Sequence, residues 1–193
     1  ERINIELSLR NKLQLTQALE ALFATGALPL GQADDSADIP SAELLEDRVQ
    51  QALVLIREVS ALWRGWLDGL DAPVSRGSTL FEQLQDHSLR ASWKQQLLAP
   101  LQGLFAGDAY AGIVAECKRI HQEVLRGRVW VALHMHAGDG NVHTNIPVNS
   151  DNYEMLQTAH EAVGRIMKLA RSLDGVISGE HGIGITKLEF LSD

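Results

Sequence analysis

The sequence predicts an α+β fold, mostly helical, with a small and partial antiparallel sheet late in the chain. Two observations carry this. Apolar residues recur at three- and four-residue steps through most of residues 8–125, the period of amphipathic helices. At Arg128 the pattern gives way to β-branched and aromatic residues, and Asp139-Gly140 marks a turn between two extended runs. The expected division is a helical segment over residues 1–127 and a second part over residues 128–193.

Leu9, Leu13, Leu19, Leu22 and Phe23 predict a first helix over about residues 8–25, closed by Gly26 and Pro29. Residues 31–40 are acidic and rich in loop formers. Ser41 is the expected N-cap of a long helix, whose face carries Leu45, Val49, Leu53, Ile56, Val59, Trp63, Trp66 and Leu70. Tryptophans at that spacing read as core. Pro73 and Gly77 interrupt the helix, and two shorter ones are expected near 78–87 and 89–105. Asp108 is a candidate cap for a helix with Ile113, Val114, Cys117, Ile120 and Val124 on its core face, which makes Cys117 a buried structural thiol.

Residues 129–136 and 142–148 read as the two strands of a hairpin. Asp151 or Asn152 caps the next helix, which runs to about Leu173 with Leu156, Val163, Ile166, Met167 and Ala170 inward. Asp174-Gly175 ends it. Val176-Ile-Ser178 is a short extended piece, and the glycine-rich residues after it lead into a last helix.

Bulk properties narrow the function classes. At 193 residues, with 45% hydrophobic and 22% charged residues, the chain has the make-up of a soluble globular protein. A net charge of -8 argues against nucleic acid or anionic lipid as the main partner. The single cysteine excludes an internal disulfide and any multi-cysteine zinc or iron–sulfur site within this sequence, and fits a reducing, cytoplasmic setting. No apolar run approaches the roughly 20 residues of a membrane span, and the N-terminus does not read as a secretory signal. The sequence starts at Glu1 and ends at Asp193 inside an apparent helix, so a fragment of a larger polypeptide is expected.

The chemistry concentrates in two motifs, His134-Met-His-Ala-Gly-Asp-Gly-Asn-Val-His143 and Ser178-Gly-Glu-His-Gly-Ile-Gly184. Side chains alternate along a strand, so His134 and His136 share a face, and a hairpin brings His143 near His136. Two imidazoles with a carboxylate from Glu180 would leave coordination positions open, as a catalytic metal requires. The plainer readings also stand: His134 as a packed strand histidine, Asp139 as a turn residue, the glycines as sources of backbone freedom. Neither glycine cluster fits a phosphate loop or a dinucleotide fingerprint. His87, His121 and His160 lie away from both motifs, with surface or packing roles.

His136-Ala-Gly-Asp-Gly-Asn-Val-His143, followed by Ser178-Gly-Glu-His-Gly-Ile-Gly-Ile-Thr-Lys187, resembles the C-terminal domain of FAD-linked oxidases. That group contains D-lactate dehydrogenases, a glycolate oxidase subunit and D-2-hydroxyglutarate dehydrogenase. The resemblance is strongest over residues 128–193. Residues 1–127 are similar to a helical elaboration of large fused members that carry an iron–sulfur module, which puts a 4Fe-4S cluster elsewhere in the parent. The resemblance implies a ferredoxin-like antiparallel sheet lying over the FAD of a separate domain. It implies a zinc-like divalent metal on His136, His143 and Glu180, His181 as general base and Asn145 as a substrate contact. The implied reaction oxidises a D-2-hydroxy acid (D-2-hydroxyglutarate first, then D-lactate or glycolate) to a 2-oxo acid, and this sequence alone is expected to be inactive. An electron acceptor, and contact with the inner face of a membrane, would complete the setting. Lys187 and Arg165 read as surface cations. From the residues alone, a metal-dependent hydrolase and a helical module docking an electron-transfer partner remain as alternatives.

Overall fold

The structure is a computed structural model that describes residues 1–30, 41–74 and 77–178. The chain separates into two compact units, Glu1–Arg128 and Val129–Asp193. The predicted acidic loop over residues 31–40 and the second motif from Gly179 onward lie outside the described residues.

Among its described residues the first unit is built mainly from helices. Helix α1 spans Arg2–Ala24 and α2 spans Ala42–Asp68, with the Ser41 hydroxyl accepting from the Leu44 N–H at 3.2 Å as the sequence predicts. Cross-links fix their direction: Arg2 pairs with Asp71, Thr16 with Ser60 and Arg57 with Glu20, a descending order that only antiparallel helices give. Between α2 and helix α3 (Leu80–Gln85), Pro73 bridges to Thr79, which caps α3 in a reciprocal box with Glu82. The predicted helix over 89–105 is instead a π-helix, Lys94–Leu98, running into helix α4, Ala99–Leu104. His87 is not helical; it takes φ 65° in the turn after α3. Helix α5, Ala111–Arg126, follows a 3-10 turn over Asp108–Tyr110, so Asp108 begins that turn and does not cap the helix. Gly112 is required there, because a side chain would collide with the Pro29 carbonyl.

These helices enclose one core. Leu19, Ile56, Trp63, Leu97, Leu101, Ile113 and Cys117 are fully buried in it, and the Trp63 indole N–H donates to the Gln96 amide oxygen at 3.0 Å. The buried Asn11 side chain on α1 donates to the Val124 carbonyl of α5 at 2.8 Å, whereas the buried Tyr110 hydroxyl has no partner among the described residues.

The second unit contains strands β1 (Ala132–His136) and β2 (Asn141–Asn145), paired antiparallel, then helix α6 (Tyr153–Ser172). The mixed helical and two-stranded composition is the α+β fold predicted. Both strands are shorter than expected, and Trp130, expected inside the first, precedes it and is half exposed. Asn152 is the cap of α6, its side-chain oxygen accepting from the Met155 N–H at 3.0 Å. The inward stripe of α6 keeps Met167 as predicted but otherwise turns toward Met155 and Ala162. Met155, Ala162 and Met167 are buried, whereas Leu156 is exposed. A cap at Asn152 starts the helix at Tyr153, and period alone does not fix which edge of an apolar arc turns inward.

Candidate functional site

The hairpin positions the first motif. Residues 137–140 form its turn, with the Asp139 N–H donating to the His136 carbonyl at 3.1 Å. Gly140 then takes φ +68°, a left-handed conformation that strains any residue with a side chain. This is the role that Asp-Gly at the turn suggested. The turn closes on the pair His136↔Asn141 and sets the register for the rest: His134↔His143 and Ala132↔Asn145.

Residues directly opposite in an antiparallel pair share a face of the sheet. One face therefore collects His134, His136, Asn141, His143 and Asn145, and the other Leu133, Met135, Val142 and Thr144. The His136 and His143 rings meet edge to face with centroids 5.6 Å apart. Two imidazoles sharing one tetrahedral ion at a metal–nitrogen distance of about 2.0–2.1 Å have centroids roughly 5–6 Å apart. The pair thus has the separation that joint ligation requires, although the rings are diagonal neighbours and not direct partners.

Direct opposition belongs to His134 and His143, a relation that the reading of His134 as a packed bystander leaves out. Asn141, opposite His136, is likewise absent from the predicted site. Counting back from a four-residue turn finds both, since turn length sets register. Asn145 stands on the same face, at the far end of β2 from the turn. Glu180, His181 and Lys187 lie outside the described residues, and among the described residues no three histidine, cysteine or carboxylate groups converge on a common point. Arg165 is an exposed residue of α6.

Other reactive groups are set aside by their surroundings. Burial pushes the Cys117 thiol up to about 12, with the Glu116 carboxylate adding to the shift, so the thiolate nucleophile is suppressed. His121 stacks on Trp93 with ring centroids 4.6 Å apart, the packing role expected of it. No helix among the described residues is long and apolar enough to cross a membrane.

Comparison with known proteins bears on the same stretch. Residues 107–193 match the family model for FAD linked oxidases, C-terminal domain, so the resemblance seen in the two motifs holds there. The match begins earlier than residue 128 and takes in α5, which packs on α1 in the helical unit. A D-lactate dehydrogenase of Archaeoglobus fulgidus is 48% identical over 58 residues, 30% of this chain and 12% of that protein. Glycolate oxidase subunit GlcD of Escherichia coli is 36% identical over 89 residues, 46% of this chain and 17% of its own length. D-lactate dehydrogenase [cytochrome] 1, mitochondrial, of Saccharomyces cerevisiae is 43% identical over 56 residues, 29% of this chain and 9% of the relative. The chain thus spans only a small part of the length of these relatives. No solved structure matches.

Proposed function

With residues 107–193 matched to the C-terminal domain of FAD-linked oxidases, we propose that this chain supplies the substrate- and metal-binding part of an FAD-dependent D-2-hydroxy acid dehydrogenase. The observation that carries the reading is the His136–His143 pair, two imidazoles held edge to face by a glycine-closed hairpin inside the matched segment. The names of the matched relatives weigh toward D-lactate or glycolate as substrate, with D-2-hydroxyglutarate a third candidate.

His136, His143 and Glu180 are the residues to hold a divalent ion such as zinc. Such an ion, when bound, would lower the pKa of a substrate hydroxyl and anchor its carboxylate, and FAD would supply the hydride acceptor. The chain's own part is positional and acid–base. The hairpin fixes the angle between the two imidazoles. Asn145, on their face of the sheet, offers an amide to the substrate carboxylate or hydroxyl. His181 takes the hydroxyl proton as the C2–H bond breaks, and the product is the 2-oxo acid.

The test is a panel of D-lactate, glycolate and D-2-hydroxyglutarate offered to the full-length flavoenzyme, before and after chelation. Turnover of one acid, lost with chelator and restored by zinc, is the expected result. Turnover that ignores the chelator would sink the metal assignment, and flavin that none of the acids reduces would sink the substrate class.

A further inference from the structure

The helical unit holds a cavity of about 310 Å³ whose lining is unusual for so acidic a chain. Lys12 of α1, Arg90, Lys94 and Arg128 all line it, and no aspartate or glutamate does. None of the four forms an ion pair among the described residues; the Lys12 ammonium donates to the Ser8 hydroxyl at 3.1 Å, and Arg90 to the His87 carbonyl at 3.2 Å. Arg90, Lys94 and Arg128 stand exposed around the part-buried Lys12, so in a protein of net charge -8 this cavity concentrates positive charge with no carboxylate in its lining.

Three further features shape the site. The stacked Trp93 and His121 rings give it an aromatic wall. The π-helix Lys94–Leu98 begins at its edge, and π-helical turns are rare and frequent at functional sites. Burial and the nearby Arg128 both hold the Lys12 pKa below the usual lysine value, which is the signature of a positive charge lacking an answering negative one. Ligand pockets start at about 300 Å³, so a small molecule fits.

We infer that this cavity of the helical unit binds a small multivalent oxyanion, a polycarboxylate or a phosphate compound. Lys12 supplies the deep charge, and Arg90, Lys94 and Arg128 supply donors that can surround several oxygens. The inference does not rest on the proposed dehydrogenase chemistry, since every residue it uses belongs to the helical unit.

The experiment is titration calorimetry of the 193-residue chain in low-salt buffer, with citrate and with pyrophosphate, and with acetate as a monovalent control. Saturable one-to-one binding of either polyanion is expected, with acetate far weaker. Lys12→Met should weaken it by about tenfold or more and Lys94→Gln by a few-fold, as expected for charge-assisted contacts. Arg119→Gln, which touches only Glu116 and Glu123 on the surface of α5, should leave it unchanged. Lys94 is exposed, so its variant keeps the test interpretable should Lys12→Met fail to fold. Absence of saturable binding by both polyanions, or binding that Lys94→Gln does not alter, overturns the inference.

Discussion

In the helical unit Leu19, Ile56, Trp63, Leu97, Leu101 and Ile113 have no exposed surface, whereas in the histidine-bearing unit Leu133, Met135 and Val142 leave 57%, 58% and 50% of theirs to solvent. The first unit is built on a closed apolar core. The second presents a hairpin with one apolar and one histidine-rich face, and a two-stranded hairpin is marginal on its own. The closed core is where the stability of the described residues is concentrated, and the proposed site lies on the open hairpin. Helical packing makes a core that resists any loss of side-chain volume, while the site depends on a turn, a register and two ring orientations.

The largest expected effect tests the closed core. Trp63→Ala removes a fully buried ring and its bond to Gln96, and should destabilise the chain by about 3–5 kcal/mol in denaturant unfolding. A loss under about 1 kcal/mol would mean the core is looser than this contrast requires. The proposed function expects His143→Ala, made in the full-length protein, to lower hydroxy-acid turnover by about 10²-fold or more and to release bound metal, while leaving the unfolding of the helical unit unchanged. Retention of full metal content in that variant would break the contrast from the other side.

Cys117 offers a pH test of the same core. Its folded thiol pKa is raised from 9.0 to about 12, so the stabilising neutral form is fully present below pH 9 and lost as pH rises toward 12. Over that window unfolding free energy should fall by at most about 1.4 kcal/mol per pH unit. Below pH 9 the native thiol should resist a thiol reagent that modifies the unfolded chain at once. Rapid native modification would contradict its burial.

The helix caps come next. Ser41→Ala and Asn152→Ala remove one side-chain acceptor each and should cost about 1 kcal/mol apiece. The smallest effect is expected of Leu133→Ala on the open face of β1, within about 0.5 kcal/mol in the 193-residue chain. A loss several-fold larger would show that this face is covered in solution, and would erase the difference between the two units.

Much of the local structure was legible in the linear sequence. Ser41, Asn152 and the Asp139-Gly140 turn act on neighbours a few residues away, so their meaning is local and readable. The three-and-four spacing of Ile56, Val59 and Trp63 marked a buried face because a helix converts spacing into geometry. Only the tertiary structure decided the rest. The hairpin register set His143 opposite His134 and diagonal to His136, a matter of turn length that residue types do not state. Helix packing brought Lys12, Arg90, Lys94 and Arg128 to one cavity from positions scattered along the chain. Burial chose Met155 over Leu156 on α6, because which edge of an apolar arc faces inward depends on what lies across from it. Periodicity is a property of one element; register, convergence and burial are properties of pairs, and pairs form only when the chain folds.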